Sequence, residues 1–172
     1  MIPPIHENYK DYRPPWDARS TIEKLLSVLP THYLSGLQSV VLTNAASIGR
    51  GKTQRIQGKK YLRQSCLGFY HHKRKGEQPW IEIVVDNIIS GIPRALMRVP
   101  PLRNIVLADT LFHEIGHHLD NTIGAPARSG EAAAEAWQRR LLRSYFRKQY
   151  WYLLPVVKIA AFFVIRKRAA AL

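Results

Sequence analysis

A helix-forming apolar segment with a polar pentapeptide at its centre constrains this chain more than any other feature. The pentapeptide is His113-Glu114-Ile115-Gly116-His117, which has the pattern H-E-x-x-H. Apolar residues recur around it at helical spacing and predict a buried helix over about residues 104–121. Histidines at i and i+4 lie about 40° apart around a helix, so both imidazoles can reach one metal ion. Glu114 lies beside them and is the candidate general base toward a water on that metal.

A second helix is predicted over residues 130–150, after a turn at residues 122–129. It begins Gly-Glu-Ala-Ala-Ala-Glu, which places Glu131 and Glu135 on one face at i and i+4. A catalytic zinc needs a third protein ligand and an open position for water. The alanines between the two acids are small enough for close packing against the first helix. We therefore expect the turn to bring Glu131 to the metal.

Together, H-E-x-x-H and the downstream E-x-x-x-E resemble the gluzincin branch of the zinc metallopeptidases, the thermolysin-like group. The resemblance implies a Zn²⁺-dependent hydrolase of peptide or protein substrates. It implies His113, His117 and Glu131 as the zinc ligands, and Glu114 as the catalytic base. It also implies that Glu135 hydrogen-bonds a ligand histidine and orients it. Only fourteen positions separate His117 from Glu131, which is shorter than in the larger gluzincins, so Glu135 stays open as an alternative ligand.

The predicted elements indicate an α+β fold of zincin-like type. A small mixed sheet of about three strands would pack on the active-site helix and on the helix that carries the glutamates. The strands are predicted at residues 39–43, 61–70 and 80–86, with the last two forming a hairpin, and a helix is predicted over residues 18–29. Zincins usually pair an extended substrate with a sheet edge, and the predicted edge is the 80–86 strand through Ile81, Ile83 and Val85.

The chain divides into three predicted segments. Residues 1–16 are rich in proline and aromatic residues and predict an extended arm. Residues 17–150 form the predicted metallopeptidase domain, and residues 151–172 form an apolar and basic C-terminal helix or tail. Residues 87–103 contain three prolines and predict an irregular connection with a short helix near residues 94–98. The N-terminus lacks the pattern of a secretory signal and the chain has one cysteine, which predicts a cytoplasmic protein, with a peripheral membrane location left open.

The formal net charge of +14 leaves two further partners open. Residues 50–75 carry nine basic residues and no acid, as a contact with nucleic acid would require. Residues 151–172 combine apolar and basic residues, which suits either docking on the core or an anionic membrane surface. Five of the twelve acids lie between Asp109 and Glu135, and this acidic island in a basic chain also favours a cation site.

Three functional classes remain open at this stage. The first is the zinc peptidase, and the second is a zincin-fold regulatory or binding protein with little turnover, associated with DNA or a membrane surface. The third is a basic DNA- or phage-associated protein in which the motif is accidental. Residues 46–53 also fit a relaxed phosphate-loop pattern, but Gly58 interrupts the helix that such a loop requires, so we predict a flexible basic loop over residues 49–60.

The sequence predicts roles for four other residues. Tyr145 and Tyr150, on the glutamate helix, are candidates for stabilising an oxyanion. His118 points about 100° away from His117 and is expected at the surface or behind a ligand. Asp120 is expected to have a structural role near the end of the H-E-x-x-H helix.

Overall fold

A computed structural model describes residues 1–49, 53–56, 59–73, 76–93, 99–123 and 130–151. Over these residues the fold is α+β, with a four-stranded mixed sheet and a separate two-stranded hairpin. The strands are β1 (Ile5–Asn8), β2 (Val40–Thr43), β3 (Thr53–Ile56), β4 (Lys59–Leu62), β5 (Gly68–His71) and β6 (Trp80–Val84). The helices are α1 (Ala18–Ser27), α2 (Val85–Ser90), α3 (Pro100–Thr122) and α4 (Glu131–Gln149). Short 3₁₀ turns occur at Thr31–Leu34, Ala45–Ser47 and Arg63–Ser65.

The four-stranded sheet has the order β1-β2-β6-β5. β1 and β2 are parallel, β2 and β6 are parallel, and β5 runs antiparallel to β6. The predicted hairpin of the two later strands is therefore confirmed. The sheet has one strand more than expected because the N-terminal arm contributes β1, in which Ile5 pairs with Val40 and is buried.

The N-terminal helix follows the sequence prediction closely. Asp17 caps α1 by accepting a hydrogen bond from the backbone N–H of Ser20 at 2.8 Å. The residues Ile22, Leu25 and Leu26 recur at helical spacing and are fully buried. This apolar stripe packs α1 against the sheet and against α3, so the same periodicity that predicts the helix also places it.

Several other predicted elements differ from those observed. The predicted strand at residues 61–70 is divided between β4 and β5 by the 3₁₀ turn Arg63–Ser65. Part of the predicted loop at residues 49–60 is instead the β3–β4 hairpin. A strand begins at Thr53, where a phosphate loop would require the start of a helix. The predicted short helix at residues 94–98, most of the 122–129 turn and residues 152–172 lie outside the described residues, as do residues 50–52, 57–58 and 74–75 of the basic region.

The main core lies between one face of the sheet and the helices α1 and α3. It includes Ile81 and Ile83 from β6, and Leu111 and Ile115 from α3, which are all fully buried. The helix α4 packs on α3, where the rings of Phe112 and Tyr145 meet edge to face with centroids 5.9 Å apart. The layers are therefore the sheet, then α1 and α3, then α4, and the H-E-x-x-H motif lies where α3 meets both β5 and α4.

Candidate metal centre

The helix α3 supplies both histidines of the motif. It begins at Pro100, four residues before the predicted start, because proline is tolerated in the first turn of a helix. Along the motif, Glu114 and Ile115 are buried, whereas the side chains of His113 and His117 retain 25% and 17% exposure. The helix thus turns its histidines toward α4 and a partly open surface, while its apolar residues enter the core.

The structure brings His113, His117 and Glu131 together. The Nε2 atom of His113 lies 3.4 Å from one carboxylate oxygen of Glu131, and the Nε2 atom of His117 lies 3.7 Å from the other. One ligand atom from each of the three residues lies within 4.8 Å of the others. In a tetrahedral zinc site with bonds of 2.0–2.1 Å, neighbouring ligand atoms are about 3.4 Å apart. The three side chains could therefore hold one ion, and each of them remains partly exposed.

Gly116 permits the close approach of α3 and α4 that this arrangement requires. A Cβ atom at Gly116 would lie 2.5 Å from the carbonyl oxygen of Ala134 and 2.9 Å from its Cα. Any larger residue would push α4 away from the histidines. This close approach gives a packing reason for a glycine that costs about 1 kcal/mol in a helix interior.

Asp120 connects the end of α3 to the beginning of α4. Its Oδ2 atom accepts a hydrogen bond from the backbone N–H of Gly130 at 2.9 Å. Gly130 has φ of +68°, a conformation that favours glycine, and Glu131 follows directly as the first residue of α4. Asp120 therefore has the structural role expected of it, because its carboxylate fixes the backbone of Gly130, next to the candidate ligand Glu131.

Glu114 is the buried carboxyl group of the cluster, with 6% exposure. Its pKa is raised from 4.5 to about 8, chiefly by burial and also by the negative charge of Glu131, while a backbone hydrogen bond from Tyr70 opposes the shift. A Cβ atom at Gly68 of β5 would lie 2.9 Å from Oε1 of Glu114. Gly68 and Tyr70 therefore form the wall against which the Glu114 carboxyl group lies.

The edge of the sheet next to the cluster is β5, so the prediction that β6 forms the substrate edge is wrong. β6 is paired on both sides, with β2 and with β5. Ile81 and Ile83 are fully buried in the core, and Val85 is already the first residue of α2. Strong β propensity does not distinguish an edge strand from an interior one, because that position depends on which other strands pair with it.

The pairing of β5 determines which of its backbone groups point outward. The N–H of Val84 donates to the carbonyl of Leu67 at 2.8 Å, which makes those two residues a hydrogen-bonded pair. Such pairs alternate along an antiparallel ladder, so the backbone groups of Gly68 and Tyr70 point away from β6. The outward edge of β5 faces the Glu114 side of the cluster.

His118 is fully buried, which excludes the surface position and leaves the other expectation, a place behind a ligand. Its Nε2–H donates to the carbonyl oxygen of Ser35 at 3.0 Å, and in this tautomer Nδ1 accepts from the hydroxyl of Tyr70 at 3.3 Å. Burial lowers the pKa of His118 and favours the neutral ring. The ring of Tyr70 also stacks on that of His117, with centroids 6.4 Å apart, so His118 supports a residue that touches a candidate ligand.

Three residues with predicted roles lie away from the cluster. Glu135 is 51% exposed, and its carboxylate lies 3.4 Å from Nη1 of Arg139 rather than beside a ligand histidine. Four helical residues carry it about 6 Å along the axis from Glu131. Tyr145 begins about 21 Å along α4 from Glu131, and its hydroxyl lies 3.5 Å from that of Tyr150 in the core. Neither tyrosine is placed to contact a group bound at the cluster.

Gly68 and Tyr70 are the site residues that the sequence reasoning missed. A glycine within a strand often marks a close approach of another group, and Gly68 carried that signal. The sequence gives no such signal for Tyr70, because its place beside the cluster depends on strand pairing.

None of the described helices is long and apolar enough to cross a membrane. Neither a protein-family model, nor a curated protein sequence, nor a solved structure matches the chain.

Proposed function

We propose that this chain is a zinc-dependent metallopeptidase of gluzincin type with a small zincin-like fold. The observation that carries the proposal is the meeting of His113, His117 and Glu131 at ligand distances, with Glu114 buried beside them. The resemblance of the sequence motif and the geometry of the cluster point to the same chemistry. No further ligand is needed for a catalytic zinc site, which keeps its fourth position for water.

The donor set favours zinc over the other common divalent cations. Two imidazole nitrogens and one carboxylate oxygen are typical of catalytic zinc, whereas magnesium and calcium prefer sites made of oxygen ligands alone. The partial exposure of all three side chains, which is 30% for Glu131, suits an ion that exchanges water and substrate. We therefore name Zn²⁺ as the proposed cofactor.

The proposed chemistry is hydrolysis of a peptide bond. Zinc, when bound, acidifies a water and polarises the substrate carbonyl. Glu114 takes a proton from that water as the water attacks the carbonyl carbon, and later delivers the proton to the leaving amine. Burial raises the pKa of Glu114 in the metal-free chain, and a bound zinc ion would favour the carboxylate form that a general base requires. The hydrogen bond from the backbone of Tyr70 keeps the Glu114 carboxyl group in place during both transfers.

The outward edge of β5 is the proposed position of the substrate. An extended peptide can add to an exposed edge strand through main-chain hydrogen bonds. The backbone groups of Gly68 and the carbonyl of Tyr70 face outward beside Glu114, so a peptide paired there would pass close to the cluster. The N–H of Tyr70 is already engaged by the Glu114 carboxyl group. This proposal replaces the predicted β6 edge with its neighbour in the sheet.

Metal content and peptide cleavage, measured on matched variants, test the proposal. We expect the wild-type chain and Glu135→Ala to bind one zinc each, and Glu131→Ala and His113→Ala to lose it. Glu114→Gln should retain zinc and lose cleavage of a mixed peptide library followed by mass spectrometry. Retention of zinc in Glu131→Ala would contradict the ligand set. Stoichiometric zinc in a wild-type chain that cleaves no peptide of the library would favour the binding or regulatory alternative instead.

A further inference from the structure

The exposed face of α4 carries a row of cations, which we call the α4 basic stripe. Seven residues between positions 139 and 149 are exposed, and five of them are cationic. The stripe consists of Arg139, Arg140, Arg143, Arg147 and Lys148, and it borders a shallow groove also lined by Ala136 and Ser144. At 100° per residue, the four arginines lie within about 100° of one another around the helix axis, whereas Lys148 lies about 180° from Arg139. The stripe extends about 14 Å along the axis.

Little in the described part of the chain neutralises this stripe. Arg139 pairs with Glu135, but both side chains are more than half exposed, and such surface pairs contribute little. Lys148 donates to the carbonyl oxygen of Val28 at 3.0 Å and keeps its charge. Arg143 and Arg147 make no ion pair or side-chain hydrogen bond with the described residues. No acid follows Glu135 anywhere in the sequence, whereas nine basic residues do.

The surroundings of the stripe indicate the chemistry of its partner. Trp151, two residues beyond the end of α4, is 68% exposed. The sequence then continues with an apolar and aromatic segment up to residue 165. The basic residues Arg166-Lys167-Arg168 follow that segment. Basic residues next to exposed tryptophan and apolar sequence are typical of contact with the headgroups and upper acyl region of an anionic bilayer. A site for nucleic acid alone would have no use for the apolar segment.

We propose that the α4 basic stripe docks this protein on an anionic lipid surface. A helix lying flat on the surface would place the four arginines of the stripe within the Debye length of about 8 Å at physiological salt. At 100° per residue, Arg143 and Arg147 point about 120° and 160° around the helix axis from Glu131. Docking through the stripe therefore leaves the metal cluster uncovered. The inference uses neither the metal nor the proposed hydrolysis, so it stands or falls independently of them.

Vesicle co-sedimentation of the full chain tests this inference. The vesicles contain phosphatidylcholine alone or phosphatidylcholine with phosphatidylserine. We expect the wild-type chain to bind the anionic vesicles preferentially and to lose binding as salt is raised. One cation near an anionic surface contributes about fivefold to partitioning, so Arg143→Gln combined with Arg147→Gln should weaken binding to anionic vesicles about 25-fold. Unchanged melting temperatures would show that both exposed positions tolerate the change.

The matched control is Lys10→Gln combined with Arg13→Gln, which removes the same charge from exposed positions outside the stripe. The control should bind within about twofold of wild type if the stripe itself is the contact. Equal losses in the two double variants would overturn the proposal in favour of net charge alone. Equal binding of wild type to both kinds of vesicle would also overturn it. Stripe-dependent binding to duplex DNA without preference for anionic vesicles would assign the stripe to nucleic acid instead.

Discussion

Substitution of Glu114 by glutamine tests the electrostatics of the buried carboxyl group directly. In the metal-free protein the pKa of Glu114 rises from 4.5 to about 8, chiefly because the group is buried. Because the folded state holds the extra proton, this group's contribution to stability is fully present below about pH 4.5. It is lost as the pH rises through about 8. Glutamine has nearly the same shape and never ionises, so the variant escapes this loss.

The magnitude follows from the size of the shift. A shift from 4.5 to about 8 corresponds to an upper bound of about 5 kcal/mol in the free energy of unfolding. Burying the amide of glutamine reduces this advantage by about 1–2 kcal/mol, because its N–H groups need hydrogen-bond partners that a carboxylate does not. We therefore expect metal-free Glu114→Gln to be about 3 kcal/mol more stable than wild type at pH 9. At pH 5 it should be equal to wild type or slightly less stable.

Urea denaturation of chelator-treated wild type and variant at pH 5, 7 and 9 measures this difference. Other titrating groups, such as His117, affect both proteins and cancel to first order in the comparison. Zinc supplies the control, because a nearby divalent cation favours the carboxylate and should shrink the advantage of glutamine. A variant that is less stable than wild type at pH 9, or a difference that does not change with pH, would refute the assignment of Glu114 as a desolvated acid.

Three further substitutions probe the packing around the cluster. Gly116→Ala should destabilise the fold by about 1–3 kcal/mol in urea denaturation, since its Cβ atom would meet the Ala134 carbonyl at 2.5 Å. His118→Phe should cost about 1–3 kcal/mol in the same assay, because it leaves the half-buried hydroxyl of Tyr70 and the carbonyl of Ser35 without their partner. Asp120→Ala should weaken zinc binding about tenfold in a competition assay with a chromophoric chelator, because it frees the backbone at Gly130.

For each of these three predictions, one experimental outcome would contradict it. Gly91→Ala is the control for Gly116→Ala, because its Cβ atom would meet neighbours only at 3.5 Å, an ordinary contact distance. Equal stability of the two alanine variants would refute the close approach of the helices. Wild-type stability of His118→Phe would show that the buried hydrogen bonds contribute nothing net. Unchanged zinc affinity in Asp120→Ala would show that the hydrogen bond from Gly130 to Asp120 does not position Glu131 for zinc binding.

Local periodicity accounts for the parts of the fold that the sequence predicted well. α1, α3 and α4 were expected within a few residues of their observed bounds, since apolar spacing and helix caps act over one or two turns. The i, i+4 spacing of His113 and His117 likewise sets their relation on α3 without reference to the rest of the chain. Even the need for Gly116 could be anticipated, because a glycine in a buried helix needs a packing reason.

The tertiary structure alone decided which strand borders the cluster and what each acid does. Strand order depends on pairing between distant segments, so neither the addition of β1 nor the edge position of β5 could be derived from local pattern. The crossing of α3 and α4 turned Glu131 toward the histidines and left Glu135 beside Arg139, although both share one helix face. Burial of His118 and Glu114 depends on what packs over them. Residue types and their spacing along one helix are therefore local properties, whereas exposure, pKa and access to the site arise only when separate elements meet.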